Sequence, residues 1–129
     1  MTDQVIEVVL GRQSGAISDD LLHSLQDRAS SGTLLAEYGY PTPGGSSVKE
    51  YIDRIREIDE SNVCASIVDV RRSDDRQRLL GKVKTAGPKG VLLQGMIDIG
   101  ADLSFGMRSL RDSNYEIKTV VTFDLINPV

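Results

Sequence analysis

Between Gly100 and Leu110 the chain alternates apolar Leu103, Phe105 and Met107 with small or polar Ser104, Gly106 and Arg108. A period of two is the mark of a strand with one face buried and the other open, so this stretch commits the chain to a sheet. Gly106 stands in the middle of it, where glycine costs packing and backbone entropy and marks a bulge or a close backbone approach. Arg108 follows on the same face if the strand is regular. A small residue beside an arginine is where an acyl-transfer site holds its nucleophile and oxyanion donor. Here the small residue is a glycine, which has no nucleophile to offer.

Other segments read as partners for this strand. Val5–Leu10, Thr33–Tyr38, Asn62–Val70, Leu79–Thr85 and Glu116–Ile126 are short apolar or alternating runs. Gly11–Gly15, Gly39–Gly45, Gly87–Gly90 and Asp112–Asn114 separate them as turns or loops. Ser18 is an N-cap with Asp19 and Asp20 in the first turn. Leu21, Leu22, Leu25 and Ala29 then give a helical face that stops near Gly32. Ser47 with Glu50 forms a capping box ahead of a stripe of Val48, Tyr51, Ile52, Ile55 and Ile58, expected to pack in the core. Val91, Leu92, Met96 and Ile99 fit a short helix ending at Gly100. The expected fold is one α+β domain over residues 1–129, a small, mainly antiparallel β-barrel with two or three helices packed outside.

Composition excludes several functions. At 40% hydrophobic but only 5% aromatic, the core must be aliphatic. A net charge of −4 argues against a general nucleic-acid binder. Four arginines, Arg71, Arg72, Arg76 and Arg78, could contact phosphate, but Asp74 and Asp75 dilute them and a solvated hairpin tip is the simpler reading. No apolar run approaches the roughly 20 residues of a membrane span, and Met-Thr-Asp-Gln does not open a signal peptide. The single cysteine, Cys64, lies in an apolar run and fits a reducing compartment.

Common catalytic machinery is hard to assemble. The only histidine, His23, falls on a helix roughly opposite Leu25 and reads as an exposed surface residue. Cys64 reads as a buried, inert thiol. With one His, one Cys and no tight acidic cluster except Asp74 with Asp75, neither a metal site nor any cofactor is expected. Gly87-Pro88-Lys89-Gly90 lacks the phosphate-loop pattern. Glu37 and Asp124 both lie on strands and are open to an acid–base pairing, although most such carboxylates are surface groups.

The order of motifs resembles the prohead maturation proteases of tailed phages, serine proteases related in fold to the herpesvirus assemblins. Gly11-Arg12 and the helix from Ser18 resemble the family's opening. Ala36-Glu37-Tyr38-Gly39-Tyr40-Pro41 resembles its first histidine motif, and Val63-Cys64-Ala65-Ser66-Ile67 its second histidine strand. Gly81 to Thr85 with Gly87 to Gly90 resembles a strand and turn of the family. Leu103 to Leu110 resembles the nucleophile strand, and Thr122 to Ile126 the closing strand. The resemblance implies the prohead-protease fold. It also places Tyr40 where the family has its first histidine, Ala65 or Ser66 at the second, and Gly106 at the nucleophilic serine, with Arg108 kept beside it.

From these departures the expectation is a non-enzymatic relative kept as a structural protein of the virion, a capsid decoration or minor head protein. It would be made in the host bacterial cytoplasm, bind phage coat protein or other head proteins, and act as a homo-oligomer or in many copies on a symmetric shell. The degenerate positions are Tyr40, Ala65 and Gly106, and the binding candidates are Arg71, Arg72, Arg76, Arg78 and Arg108. The runner-up is a divergent active maturation serine protease with Ser104 or Ser109 as nucleophile. A module contacting nucleic acid through the arginine hairpin comes third.

Overall fold

The computed structural model describes residues 4–11, 17–41 and 47–128. In chain order the elements are β1 (Ile6–Gly11), α1 (Asp19–Ser31), β2 (Leu35–Glu37), α2 (Val48–Arg56), a 3-10 turn (Glu60–Asn62), β3 (Val63–Arg72), β4 (Leu79–Thr85), α3 (Gly90–Asp98), β5 (Phe105–Arg111) and β6 (Ile117–Leu125). The turn expected at Gly11–Gly15 and the loop expected at Gly39–Gly45 fall largely outside the described residues, at 12–15 and 42–45.

The two longer capping signals work as their chemistry requires. The Ser18 side chain accepts a hydrogen bond from the Leu21 N–H at 3.2 Å, and the chain leaves α1 through Gly32 in the left-handed region at φ +79°. The Ser47 side chain likewise accepts from the Glu50 N–H at 3.2 Å at the start of α2. α1 buries Leu22, Leu25 and Ala29. α2 buries only Ile55, while Val48 is exposed and Tyr51, Ile52 and Ile58 are half-buried. The α2 stripe is therefore less of a core face than its periodicity suggests. The helix lies over a polar centre and needs only one deep apolar anchor.

The six strands form two antiparallel sheets, one in the order β1-β4-β3-β2 and one of β5 with β6. β3 is buried at every position from Val63 to Ile67, so it is covered on both faces. Leu10, Leu34, Ile67, Val83, Leu93, Phe123 and Leu125 are completely buried in one shared apolar core. Each such side chain contributes about 1.5–3 kcal/mol of transfer free energy. Gly81 on β4 makes the space for Leu10. A Cβ there would sit 2.4 Å from Leu10 Cδ1 and 3.0 Å from the Asp69 carbonyl.

The expected barrel is not formed: among the described residues the two sheets do not close on each other. On one side they meet through a single parallel bridge between Tyr38 and Leu125. The Gly39 N–H donates to the Leu125 carbonyl at 2.8 Å, and Thr122 Oγ1 donates to the Leu35 carbonyl at 2.6 Å. α1 ties the same seam from outside. Gln26 donates to the Val70 carbonyl of β3 at 3.0 Å, and Arg28 donates to the Val120 and Val121 carbonyls of β6 at 2.9 and 2.5 Å. On the other side β1 and β5 run near each other with no ladder between them. A cleft takes the place of the missing hydrogen bonds.

Candidate functional site

The seam where β2 meets β6 holds a buried charge centre. Glu37 ends β2, Asp124 lies near the end of β6, and Arg108 lies on β5; all three side chains are fully buried. In the register of β5 and β6, Gly106 stands opposite Asp124 and Arg108 opposite Thr122, so these four share one face, while Phe105, Met107, Phe123 and Leu125 take the other. Arg108 donates from Nε to Asp124 Oδ2 at 2.9 Å and from Nη2 to Asp124 Oδ1 at 2.8 Å, a bidentate grip. Its Nη2 also donates to Glu37 Oε2 at 2.9 Å.

The remaining guanidinium nitrogen finishes α2. Arg108 Nη1 donates to the carbonyls of Glu57, Ile55 and Arg54 at 2.8, 3.3 and 3.4 Å. α2 has no glycine stop, and its C-cap Glu57 is extended. An arginine from a distant strand thus satisfies carbonyls that a helix end leaves open, and sets a positive charge at the negative end of the helix dipole. Arg54 completes the centre by donating from Nη2 to Glu37 Oε1 at 2.5 Å and from Nη1 to Glu37 Oε2 at 3.1 Å. Two guanidinium groups and two carboxylates therefore meet here, and among the described residues no buried side-chain nitrogen or oxygen lacks a partner.

The two carboxyls respond in opposite directions. Burial pushes Glu37 up, but hydrogen bonds from Arg54, the Asp59 N–H, Asn62 and Arg108 outweigh it and hold the group at about 2. Asp124 is raised, because burial outweighs the grip of Arg108. Both carboxylates are thus buried, where the sequence favours the surface for such groups, and nothing in the sequence points to Arg54 as a partner. The available signal was the polarity of Glu37 and Asp124 inside otherwise apolar strand ends.

The three positions that the resemblance marks as degenerate flank this centre. Ala65 is fully buried on β3, paired with Ala36 of β2. Tyr40 follows β2, partly exposed; burial raises its hydroxyl, and the charges of Tyr51 and Asp124 add to that. Gly106 faces Ile126, whose Cγ2 would lie 2.8 Å from a Cβ added there. Ser66 is buried beside Ala65. Burial pushes the Cys64 thiol up to about 12, which leaves almost no thiolate at neutral pH. His23 is exposed on α1. Arg108 has committed its donors inside the fold.

Ser104 lies elsewhere, exposed at the lip of the β1–β5 cleft. The cleft has a volume of about 460 Å³ and is lined by Val9, Leu10, Phe105, Met107 and Ile126, with Arg111 at its rim. A second hollow continues along β1 past Ile6, Val8 and Leu103. The Ser104 N–H donates to Asn127 Oδ1 at 2.9 Å and its carbonyl accepts from the Ile126 N–H at 2.8 Å, which fixes its backbone. Among the described residues, no hydrogen bond is made by the Ser104 hydroxyl.

The arginine hairpin is partly self-neutralised. Arg71 pairs with Glu7 and Asp69, and Arg72 pairs with Asp19 and donates to the Ile17 carbonyl. Arg76 turns the hairpin at φ +60°, and the Arg78 N–H donates to Ser73 Oγ at 3.1 Å. Among the described residues there is no cluster of three or more His, Cys, Asp or Glu able to hold a metal. No described helix is long and apolar enough to cross a membrane.

What the fold presents is an α+β domain with a strand-edge cleft on one side and a buried acid–arginine centre on the other. The family profile of the Peptidase S80 family matches residues 17–128, and the chain belongs to that family. This agrees with the resemblance to the prohead maturation proteases. No curated protein and no solved structure shows significant similarity to the chain. Membership of a peptidase family overturns the expectation that the chain is not an enzyme. That expectation rested on the resemblance alone, which set Tyr40, Ala65 and Gly106 at the catalytic positions, and it gives way to the family match.

Proposed function

We propose that this chain serves the assembly of a tailed-phage head as a peptidase-family domain that takes extended segments of other head proteins into the β1–β5 cleft. The observation that carries this reading is the pair of unladdered strand edges facing each other across an apolar hollow. The apolar lining offers side-chain pockets to an extended segment lying along the cleft, and the open strand edges beside it keep backbone N–H and carbonyl groups free to bond it. Ser104 at the lip is the hydroxyl placed closest to such a segment and is our candidate nucleophile. Coat and scaffold proteins are the candidate substrates.

The test mixes the purified chain with coat and scaffold protein and reads binding and fragmentation separately. Val9→Asp should abolish both, and Ser104→Ala should abolish fragmentation while leaving binding. Absence of binding to either protein would overturn the cleft reading. A second reading is residence in the finished head as a decoration or minor head protein held on coat protein. The exposed apolar residues at the cleft, Val9 and Ile126, favour it, because they suit a lasting contact. Mass spectrometry of purified particles decides between the two by whether the chain stays at fixed copy number.

A further inference from the structure

The arginines that the fold draws out of open solvent are met by acids, save one. Arg54, Arg71, Arg72 and Arg108 each pair with a carboxylate. Arg28, half-buried on α1, has no carboxylate partner among the described residues. Its guanidinium donates to two carbonyls of β6, from Nη1 to Val120 and from Nη2 to Val121. A guanidinium carries several further N–H groups in a planar fork, so these bonds leave donors to spare and the charge unanswered. Burial accordingly lowers Arg28 from its ordinary value, whereas carboxylates raise Arg54 and Arg71. A partly buried charge calls for a counter-ion, and the described residues supply none.

Arg28 borders a hollow of about 250 Å³ between α1 and β6, which shares no residue with the β1–β5 cleft. Leu21 and Leu25 give the hollow an apolar wall, and Ser24, Thr119 and Lys118 bring hydroxyls and a second cation to it. No acid lines it. Lys118 is exposed and stands 3.5 Å from Asp112, a long ion pair that leaves its flexible stem able to turn inward. We propose that this hollow binds a carboxylate carried on a small apolar group. The two oxygens of a carboxylate match the planar fork of an arginine, Lys118 and the hydroxyls close around them, and the apolar part lies on Leu21 and Leu25. A bare phosphate would answer the charge and leave that wall unused. The volume falls short of the roughly 300–1,000 Å³ of pockets for drug-sized ligands, so it takes one residue-sized group. Both the C-terminal residue of a peptide with an apolar side chain and a free short-chain acid have this chemistry.

Amide NMR titration of the full chain with N-acetyl-leucine up to about 20 mM tests this. Shifts should cluster at Ser24, Leu25, Arg28 and Thr119, with a Kd of about 1 mM. N-acetyl-leucinamide, which has the shape without the charge, should leave those signals unmoved, and inorganic phosphate should bind at least about tenfold more weakly. Lys118→Glu should weaken binding of N-acetyl-leucine by roughly fivefold or more at unchanged melting temperature, because the side chain is exposed. Arg28→Gln should abolish binding; that variant also loses its hold on β6, so the Lys118 variant carries the comparison. Isocaproate tells the two sources apart. Binding as tight as that of N-acetyl-leucine assigns the site to a free acid, and binding at least about tenfold weaker assigns it to the C-terminal residue of a peptide. Absence of shifts at the hollow overturns the proposal, as do equal shifts with the amide or phosphate binding as tightly as the carboxylate. So does a Lys118→Glu variant that binds like the wild type.

Discussion

At the scale of single residues, Glu37 does most to hold the two sheets together. It accepts from Arg54, Arg108, Asn62 and the Asp59 N–H, so its charge is used from several directions. Removing the charge in Glu37→Gln leaves Arg108 with one carboxylate and should cost about 3–5 kcal/mol in urea unfolding at pH 7. The pH dependence follows from the same group. With a folded value of about 2 against an ordinary 4.5, the unfolded chain binds the proton more readily. The stabilisation is therefore complete above about pH 4.5 and is lost as pH falls towards 2. Asp124, raised in the fold, acts with the opposite sign, gaining stability as it protonates. The urea midpoint should consequently fall steeply from pH 4.5 to 2 in the wild type and much less in Glu37→Gln. Equal slopes in the two proteins would show that another carboxyl governs acid unfolding. In the sequence Glu37, Arg108 and Asp124 stand out as charged residues within strands, but their pairing is not legible. Glu37 and Arg108 are 71 residues apart and Glu37 and Asp124 are 87, and no local pattern signals a partner at that distance.

At the scale of elements, the legible features are those decided within a few residues. Ser18, Gly32 and Ser47 cap their helices because a cap bonds a backbone group two or three positions away. The charged connection between β3 and β4 is a turn, as its charge implied, but a shorter one than expected from Arg71 to Arg78, because Arg71 and Arg72 continue the β3 ladder opposite Leu80 and Leu79. The end of α2 was not legible, since its cap is a side chain on β5. Nor was the open β1–β5 side, because alternation announces a strand without saying whether its second edge finds a neighbour. Gly81 belongs with these: it looks like any strand glycine, yet its bare Cα is what lets Leu10 reach the core. Gly81→Val would drive its side chain into Leu10 and the Asp69 carbonyl. It should cost about 2–3 kcal/mol or more, read as a lowered urea midpoint. Gly95→Ala, where the space is open, is the matched control and should not destabilise.

At the scale of the whole molecule, two sheets that share little ladder behave as one body because the charge centre, the Tyr38–Leu125 bridge and the clasp of α1 span them. Unfolding followed at Tyr115, on the turn between β5 and β6, and at Tyr38, beside β2, should therefore give coincident transitions. In Glu37→Gln the β5–β6 transition should separate and come first. Coincident curves in the variant would mean that the shared apolar core alone couples the sheets.

The seam also dictates when the chain can become itself. Glu37 leaves the ribosome early, Arg108 much later and Asp124 later still, so the nascent chain carries half of an ion cluster while its counterpart is unmade. The first sheet can collapse around β3 during synthesis, but the end of α2 and the acid of β2 must wait in water for β5 and β6. The two sheets thus lock together only once β6 has been made.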